Sequence, residues 1–196
     1  KKYPLVDDEA TTLYLNRVGQ YAARHLDQGA KNIKCSSGKA KVLPSKGFRF
    51  GAMKSSDKQA LALPGGFIFV STGLLKSLKS EDELAGVLAH EATHVVCQDG
   101  VKPGMRPDPF FLLSFSRLQE KVADRGALLA ACRGGYFPAD FIGLIERSKD
   151  ETSGRHPGSA ERVAWLKKDY VKMEAKGVVN TKAARAARFA EFLKAL

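Results

Sequence analysis

The residues of this chain most able to do chemistry stand together in an otherwise apolar run. Within Leu84 to Val96, the segment His90-Glu91-Ala92-Thr93-His94 places two imidazoles four residues apart with a carboxylate between them. On a helix such residues stack on one face, about 6 Å apart along the axis. That spacing suits two histidines on one tetrahedral zinc ion. Glu91 follows His90 directly, which swings it to the side of the metal, where a carboxylate can take a proton from a metal-bound water. The chemistry implied is hydrolysis, with one zinc ion as cofactor.

These side chains need a rigid, buried support. Ser80 can cap the amide of Glu83 while Glu83 reaches back, and Glu81, Asp82 and Glu83 put negative charge at the positive end of a helix dipole. The apolar and small residues from Leu84 to Val96 predict a central helix with little polar surface, which Gly100 and Pro103 are expected to end. Two histidines and a glutamate buried there need partners, since each unpaired polar group costs on the order of a few kcal/mol. A further helix is expected from Pro109 to Ala131, stopped by Gly134 and Gly135, and on it Glu120 and Asp124 share one face. Alone, that pair would read as a solvated face with Lys121 and Arg125 as partners. After H-E-x-x-H, a later E-x-x-x-D is the gluzincin arrangement, in which the glutamate is the third zinc ligand and the aspartate accepts from a ligand histidine's outer N–H.

The rest of the chain bounds what surrounds this site. With 196 residues, 44% of them hydrophobic, it can form one core, and no run reaches the roughly 18 to 20 apolar residues of a membrane span. The first residues carry no signal-peptide core and no initiating Met, so the sequence is compatible with a removed export signal. The net charge of +11 is concentrated between Lys31 and Lys58, where eight Lys or Arg face the single Asp57. A solvated basic face is the ordinary reading, and a preference for acidic residues near the cleaved bond is the functional one. No nucleic-acid readout element accompanies those lysines, so nucleic acid is not an expected partner. Cys35, Cys97 and Cys132 match no metal or redox spacing; at most one disulfide can form, and Cys97 and Cys132 are expected as buried free thiols.

Taken in order, Asp8 to Gln28 reads as an amphipathic helix, with His25 a packed or surface residue rather than a ligand. From Lys39 to Val70 the period shifts to that of strands: Lys39–Leu43, Gly47–Met53, Gln59–Leu63 and Phe67–Val70, the last two joined tightly by Pro64-Gly65-Gly66. Short helices are expected at Thr72–Leu78 and Pro138–Arg147, then helices from Ser159 to about Lys176 and from a Thr181 cap to Leu196. The fold class expected is α+β, a small and mostly antiparallel sheet beside a helical zinc-binding core. Residues 1–176 would form one domain, and 177–196 a basic amphipathic helix packed on it or lying across the cleft.

Four blocks resemble soluble bacterial members of the peptidase family that includes the CAAX prenyl endopeptidases, near the small ones called minigluzincins. They are Gln59 to Leu75 with its Pro-Gly-Gly strand turn, Leu88 to His94, Glu120 and Asp124 followed by Gly135-Tyr136-Phe137-Pro138, and His156-Pro157 with Arg162. The resemblance implies that His90, His94 and Glu120 bind zinc, that Glu91 is base and then acid, and that Asp124 orients His90. His156 and Arg162 would help stabilise the tetrahedral oxyanion. The strand Gln59, Ala60, Leu61, Ala62 and Leu63 would form the upper rim of the cleft, where an extended peptide or unfolded protein adds as a further strand. The chain departs from the family pattern at Gln59, usually Asn, and at Gln98-Asp99, where a second histidine often comes after the central helix.

The function expected is that of a zinc endopeptidase, periplasmic or associated with the cell envelope, with peripheral membrane contact and oligomeric state left open. The rival is a latent zinc-bound module that binds peptides without cleaving them, with Arg185, Arg188, Phe189, Phe192 and Leu193 of the last helix as an inhibitory segment.

Overall fold

The computed structural model describes residues 3–28, 33–36, 38, 43–100, 115–148, 159–172 and 182–196. Seven helices and three strands appear among them: α1 Glu9–Gln28, β1 Arg49–Met53, β2 Ala60–Leu63, β3 Phe67–Ser71, α2 Thr72–Ser77, α3 Glu81–Val96, α4 Arg117–Gly134, α5 Pro138–Arg147, α6 Ser159–Lys172 and α7 Lys182–Ala195. The class is α+β.

The sheet is mixed. Its order is β1-β3-β2, with β2 antiparallel to β3 as the Pro64-Gly65-Gly66 turn predicts, but with β1 parallel to β3. A mostly antiparallel sheet was expected because strands joined by short links usually pair as hairpins. Here the link from β1 to β2 carries the chain past β3's place, so β3 returns between the other two. Among the described residues β2 lies at the edge, with all four of its residues half-buried. Most of the candidate strand Lys39–Leu43 lies outside the described residues.

α3 is the centre of the molecule, flanked by α1, α4 and α5. Every residue of it except Val95 is buried, which the absence of a wide polar stripe foretold. α1 covers one side with Leu15, Val18, Ala22 and Leu26, and Asn16 ties it to the sheet by exchanging hydrogen bonds with the backbone of Phe50. α4 approaches α3 at Gly126, where a Cβ would stand 2.1 Å from Thr93 Oγ1. Only glycine permits that approach.

Both ends of α3 differ in detail from expectation. At the start, Ser80 Oγ accepts from Glu83 N–H at 3.2 Å, but Glu83 reaches one residue further back and accepts from Lys79 N–H at 2.8 Å. At the other end the helix stops at Val96, before Gly100. Cys97 caps it, Gln98 takes a left-handed φ of 53°, and the N–H groups of Gln98 and Asp99 donate to the carbonyls of Val95 and His94. This is a Schellman turn with glutamine where glycine is usual, and it folds Asp99 back beside His94. Cys97 is joined to Cys35 by a disulfide spanning 62 residues, so it is not the free thiol expected; Cys132 is free and buried. The expectation failed because partners so far apart in sequence leave no local trace.

α7 packs on α1 and α3. Its Arg185 grips the buried Asp82 with Nε at 3.0 Å and Nη2 at 2.9 Å, and Arg188 pairs with Glu81. Phe189 and Phe192 are buried, with Phe192 stacked on Tyr14 at 4.3 Å. These contacts lie at the first turn of α3, about 13 Å along the helix from His90 at 1.5 Å per residue. No described helix is long and apolar enough to cross a membrane.

Candidate metal centre

His90 and His94 project from one face of α3 and meet Glu120 from α4. His90 Nε2 and His94 Nε2 are 3.2 Å apart; Glu120 stands 3.4 Å from the first and 3.6 Å from the second. One ligand atom from each of the three lies within 4.8 Å of the others, and all three residues are buried. Two ligands each about 2.0 to 2.1 Å from a tetrahedral zinc ion would be roughly 3.3 Å apart. The donor set of two imidazoles and one carboxylate therefore fits a zinc ion.

The outer nitrogens argue the same way. His90 Nδ1 lies 3.0 Å from Asp124 Oδ1, and His94 Nδ1 lies 2.9 Å from Asp99 Oδ2. Each carboxylate can accept from the outer N–H, an arrangement that leaves Nε2 facing the centre as the atom available to a metal. Asp124 also accepts from Arg162 Nε at 3.0 Å, Arg162 Nη2 at 2.6 Å and Trp165 Nε1 at 2.7 Å. Arg162 and Trp165 are three apart on α6 and so reach Asp124 from one face. Asp99 accepts in addition from Gln119 Nε2 at 3.1 Å. The Phe115 ring stacks on His94 at 3.8 Å and 16°.

Titration is set by this geometry. Burial would depress His90, but the hydrogen bonds and charges of Asp124 and Glu120 outweigh it and carry the imidazole up to about 10. His94 moves up as well: burial opposes the shift, and Asp99 and Glu120 produce it. Burial would raise Asp124, yet the Arg162 guanidinium and His90 hold it down at about 2. Arg162 is raised because Asp124 outweighs the cost of burying its charge. The centre is therefore an anionic cradle that holds positive charge, whether protons or a metal cation.

Glu91 lines a cavity of about 120 Å³ together with His90, Arg162, Gln59, Ala60 and Val87. Of the rim residues, Gln59 and Ala60 thus lie on this side of the centre, while Ala62 and Leu63 line a second cavity beside His94. Leu61 pairs with Phe69 in the ladder. His156 lies outside the described residues. The sequence reading missed Asp99, Gln119, Phe115 and Trp165 as supports. Asp99 had a visible signal, being the acid that stands where the family pattern often has histidine.

The sequence matches peptidase family M48 over residues 30–106 and 96–169. It is 29% identical over 148 residues to the mitochondrial metalloendopeptidase OMA1 of Schizosaccharomyces pombe, an alignment covering 71% of this chain and 40% of that protein. It is 34% identical over 102 residues to the OMA1 metalloendopeptidase of Arabidopsis thaliana, covering 40% of this chain and 21% of that protein. The chain thus spans well under half the length of these relatives.

Proposed function

Because the chain belongs to peptidase family M48, we propose that it is a zinc-dependent endopeptidase acting on extended peptides or unfolded protein. The observation that carries the proposal is the convergence of His90, His94 and Glu120, with each histidine's outer nitrogen held by a carboxylate. A bound zinc would supply a Lewis acid that polarises the peptide carbonyl and acidifies a water molecule. Glu91 takes the proton from the attacking water and returns it to the leaving amine nitrogen, so one carboxylate serves as base and then as acid. Asp124 and Asp99 keep His90 and His94 in the tautomer that can ligate. Arg162 holds Asp124 with two nitrogens while lining the cavity of Glu91, and we assign its remaining donor capacity to the developing oxyanion, a role His156 would share. Among the described residues β2 is an edge strand, on which the substrate backbone can add.

The finer assignments belong to the same proposal. Nearness to the minigluzincins rests on the four sequence blocks. A preference for acidic residues near the cleaved bond draws on the basic segment, of which Lys58 lines the Glu91 cavity. Placement in the periplasm or cell envelope draws support from the Cys35–Cys97 disulfide, a bond of oxidising compartments. The α7 contacts with Asp82 and Glu81 gather at the first turn of α3, which speaks for a packing role of the last helix rather than an inhibitory one.

Metal content measured together with casein cleavage, for wild type and Glu91→Ala, tests the proposal. Zinc in both with cleavage in the wild type alone supports it. Zinc in both with cleavage in neither selects the peptide-binding reading, and a protein that takes up no zinc overturns the metal centre.

A further inference from the structure

Two cavities flank the metal centre, and they differ in size and lining. One, of about 120 Å³, holds Glu91 and His90 and meets β2 at its first residue, Ala60. The other, of about 290 Å³, is walled by His94 and by Leu43, Leu63, Pro64, Val95 and Phe115, and so meets β2 at its last residue. β2 therefore spans the distance from one cavity to the other, with the ligand histidines divided between them.

We infer that the larger cavity is a subsite for a bulky apolar side chain of the substrate, on the N-terminal side of the bond cleaved. The inference rests on the endopeptidase reading and adds a specificity to it. Three observations lead there. First, Leu43 is 45% exposed although it belongs to a concave apolar wall, and an open apolar hollow beside a polar centre is the usual form of a site for an apolar group. Second, the hollow borders the centre, because the ligand residue His94 and the Phe115 ring stacked on it are among its lining residues. A group seated there is within one residue's reach of a carbonyl held at the centre. Third, β2 is an edge strand among the described residues, and a strand adding to it pairs more favourably antiparallel than parallel. An antiparallel peptide enters at Leu63 and leaves at Ala60, which puts its N-terminal part over the larger cavity. Leu43, Leu63 and Val95 select by apolar burial, while the smaller cavity next to Glu91 and Arg162 receives the substrate residues on the C-terminal side of the cleaved bond.

The test uses two readouts. Wild-type zinc protein is given a library of unstructured peptides, and cleavage sites are mapped by mass spectrometry. Large apolar residues should be enriched N-terminal to the cut, by roughly 10- to 100-fold over Asp or Lys at the same position. Independently, Glu91→Ala is used to measure binding of uncleaved peptides that carry Phe or Asp at that position, where the same order of preference is expected. Leu43→Arg and Leu63→Arg should each reduce the preference to a few-fold or less, with zinc content and melting temperature unchanged. Cleavage without an apolar preference, or a preference on the C-terminal side, overturns the inference and leaves the peptidase reading standing. Binding preference without cleavage by the wild type overturns the peptidase reading, and with it the placement relative to a cleaved bond, leaving the hollow as a subsite for an apolar side chain of a bound peptide. A melting temperature lowered by Leu63→Arg with the preference unchanged would show the hollow filled by the chain itself, and overturns the inference too.

Discussion

Asp99→Ala probes the metal centre most directly, because Asp99 lines neither cavity beside the centre and its carboxylate reaches the centre through His94. His94 is 1% exposed; its Nδ1 lies 2.9 Å from Asp99 Oδ2, and the other carboxylate oxygen accepts from Gln119 at 3.1 Å. With the carboxylate in place the imidazole proton stays on Nδ1, leaving Nε2 as a ligand. Alanine removes the acceptor from a buried N–H, and the proton can move to Nε2, which faces Glu120 at 3.6 Å. That tautomer cannot ligate. Losing such an outer partner weakens metal affinity roughly 10- to 100-fold, or about 1.4 to 2.7 kcal/mol. Asp99→Asn keeps a carbonyl acceptor without the charge, so its loss should fall between alanine and wild type. Zinc dissociation constants from chelator competition read this out, with circular dichroism of the metal-free proteins as the control for folding. An Asp99→Ala protein that folds normally and binds zinc within threefold of wild type would refute the reasoning.

The structure carries four further expectations. His90 ordinarily titrates near 6.5 and stands at about 10 in the metal-free centre, so protons compete with zinc and affinity should climb with pH, by up to about tenfold per unit. The stability contributed by the same raised value is fully present in the metal-free fold below about pH 6.5 and is lost as pH rises through about 10; a metal-free melting temperature that fails to fall across that window counts against it. Replacing Cys35 and Cys97 by serine opens a loop of 62 residues and should cost about 4 kcal/mol by chain entropy, visible as a melting temperature lower by roughly 10 °C. Gly126→Ala puts a methyl 2.1 Å from Thr93 Oγ1 and should cost about 1 to 3 kcal/mol while weakening zinc binding, because it pushes the helix of Glu120 away from that of His90.

How much was legible in advance depends on the reach of each contact. The Ser80 cap, the Pro64-Gly65-Gly66 turn and the α5 helix opening at Pro138 were readable because their physics is confined to a few neighbouring residues. The pairing of His90 with His94, and of Glu120 with Asp124, was readable because helix geometry alone puts residues four apart on one face. Of the helix expected from Pro109, the part among the described residues opens at Ser116, whose capping box with Gln119 starts α4; residues 109–114 lie outside the described residues.

By itself the sequence determined which groups could ligate and which carboxylate could move a proton, since these are properties of side-chain type and of periods of three to four residues. Tertiary structure decided the rest. Asp99 reaches His94 only because Gln98 accepts a left-handed turn. Arg162 and Trp165 reach Asp124 from 38 and 41 residues away, Arg185 reaches Asp82 from 103, and Cys35 finds Cys97 across 62. Even the parallel pairing of β1 with β3 depends on where β2 comes to lie. Contacts at such separations are set by how buried faces pack and which polar groups must be satisfied once water is gone, and no local pattern of residues carries that information.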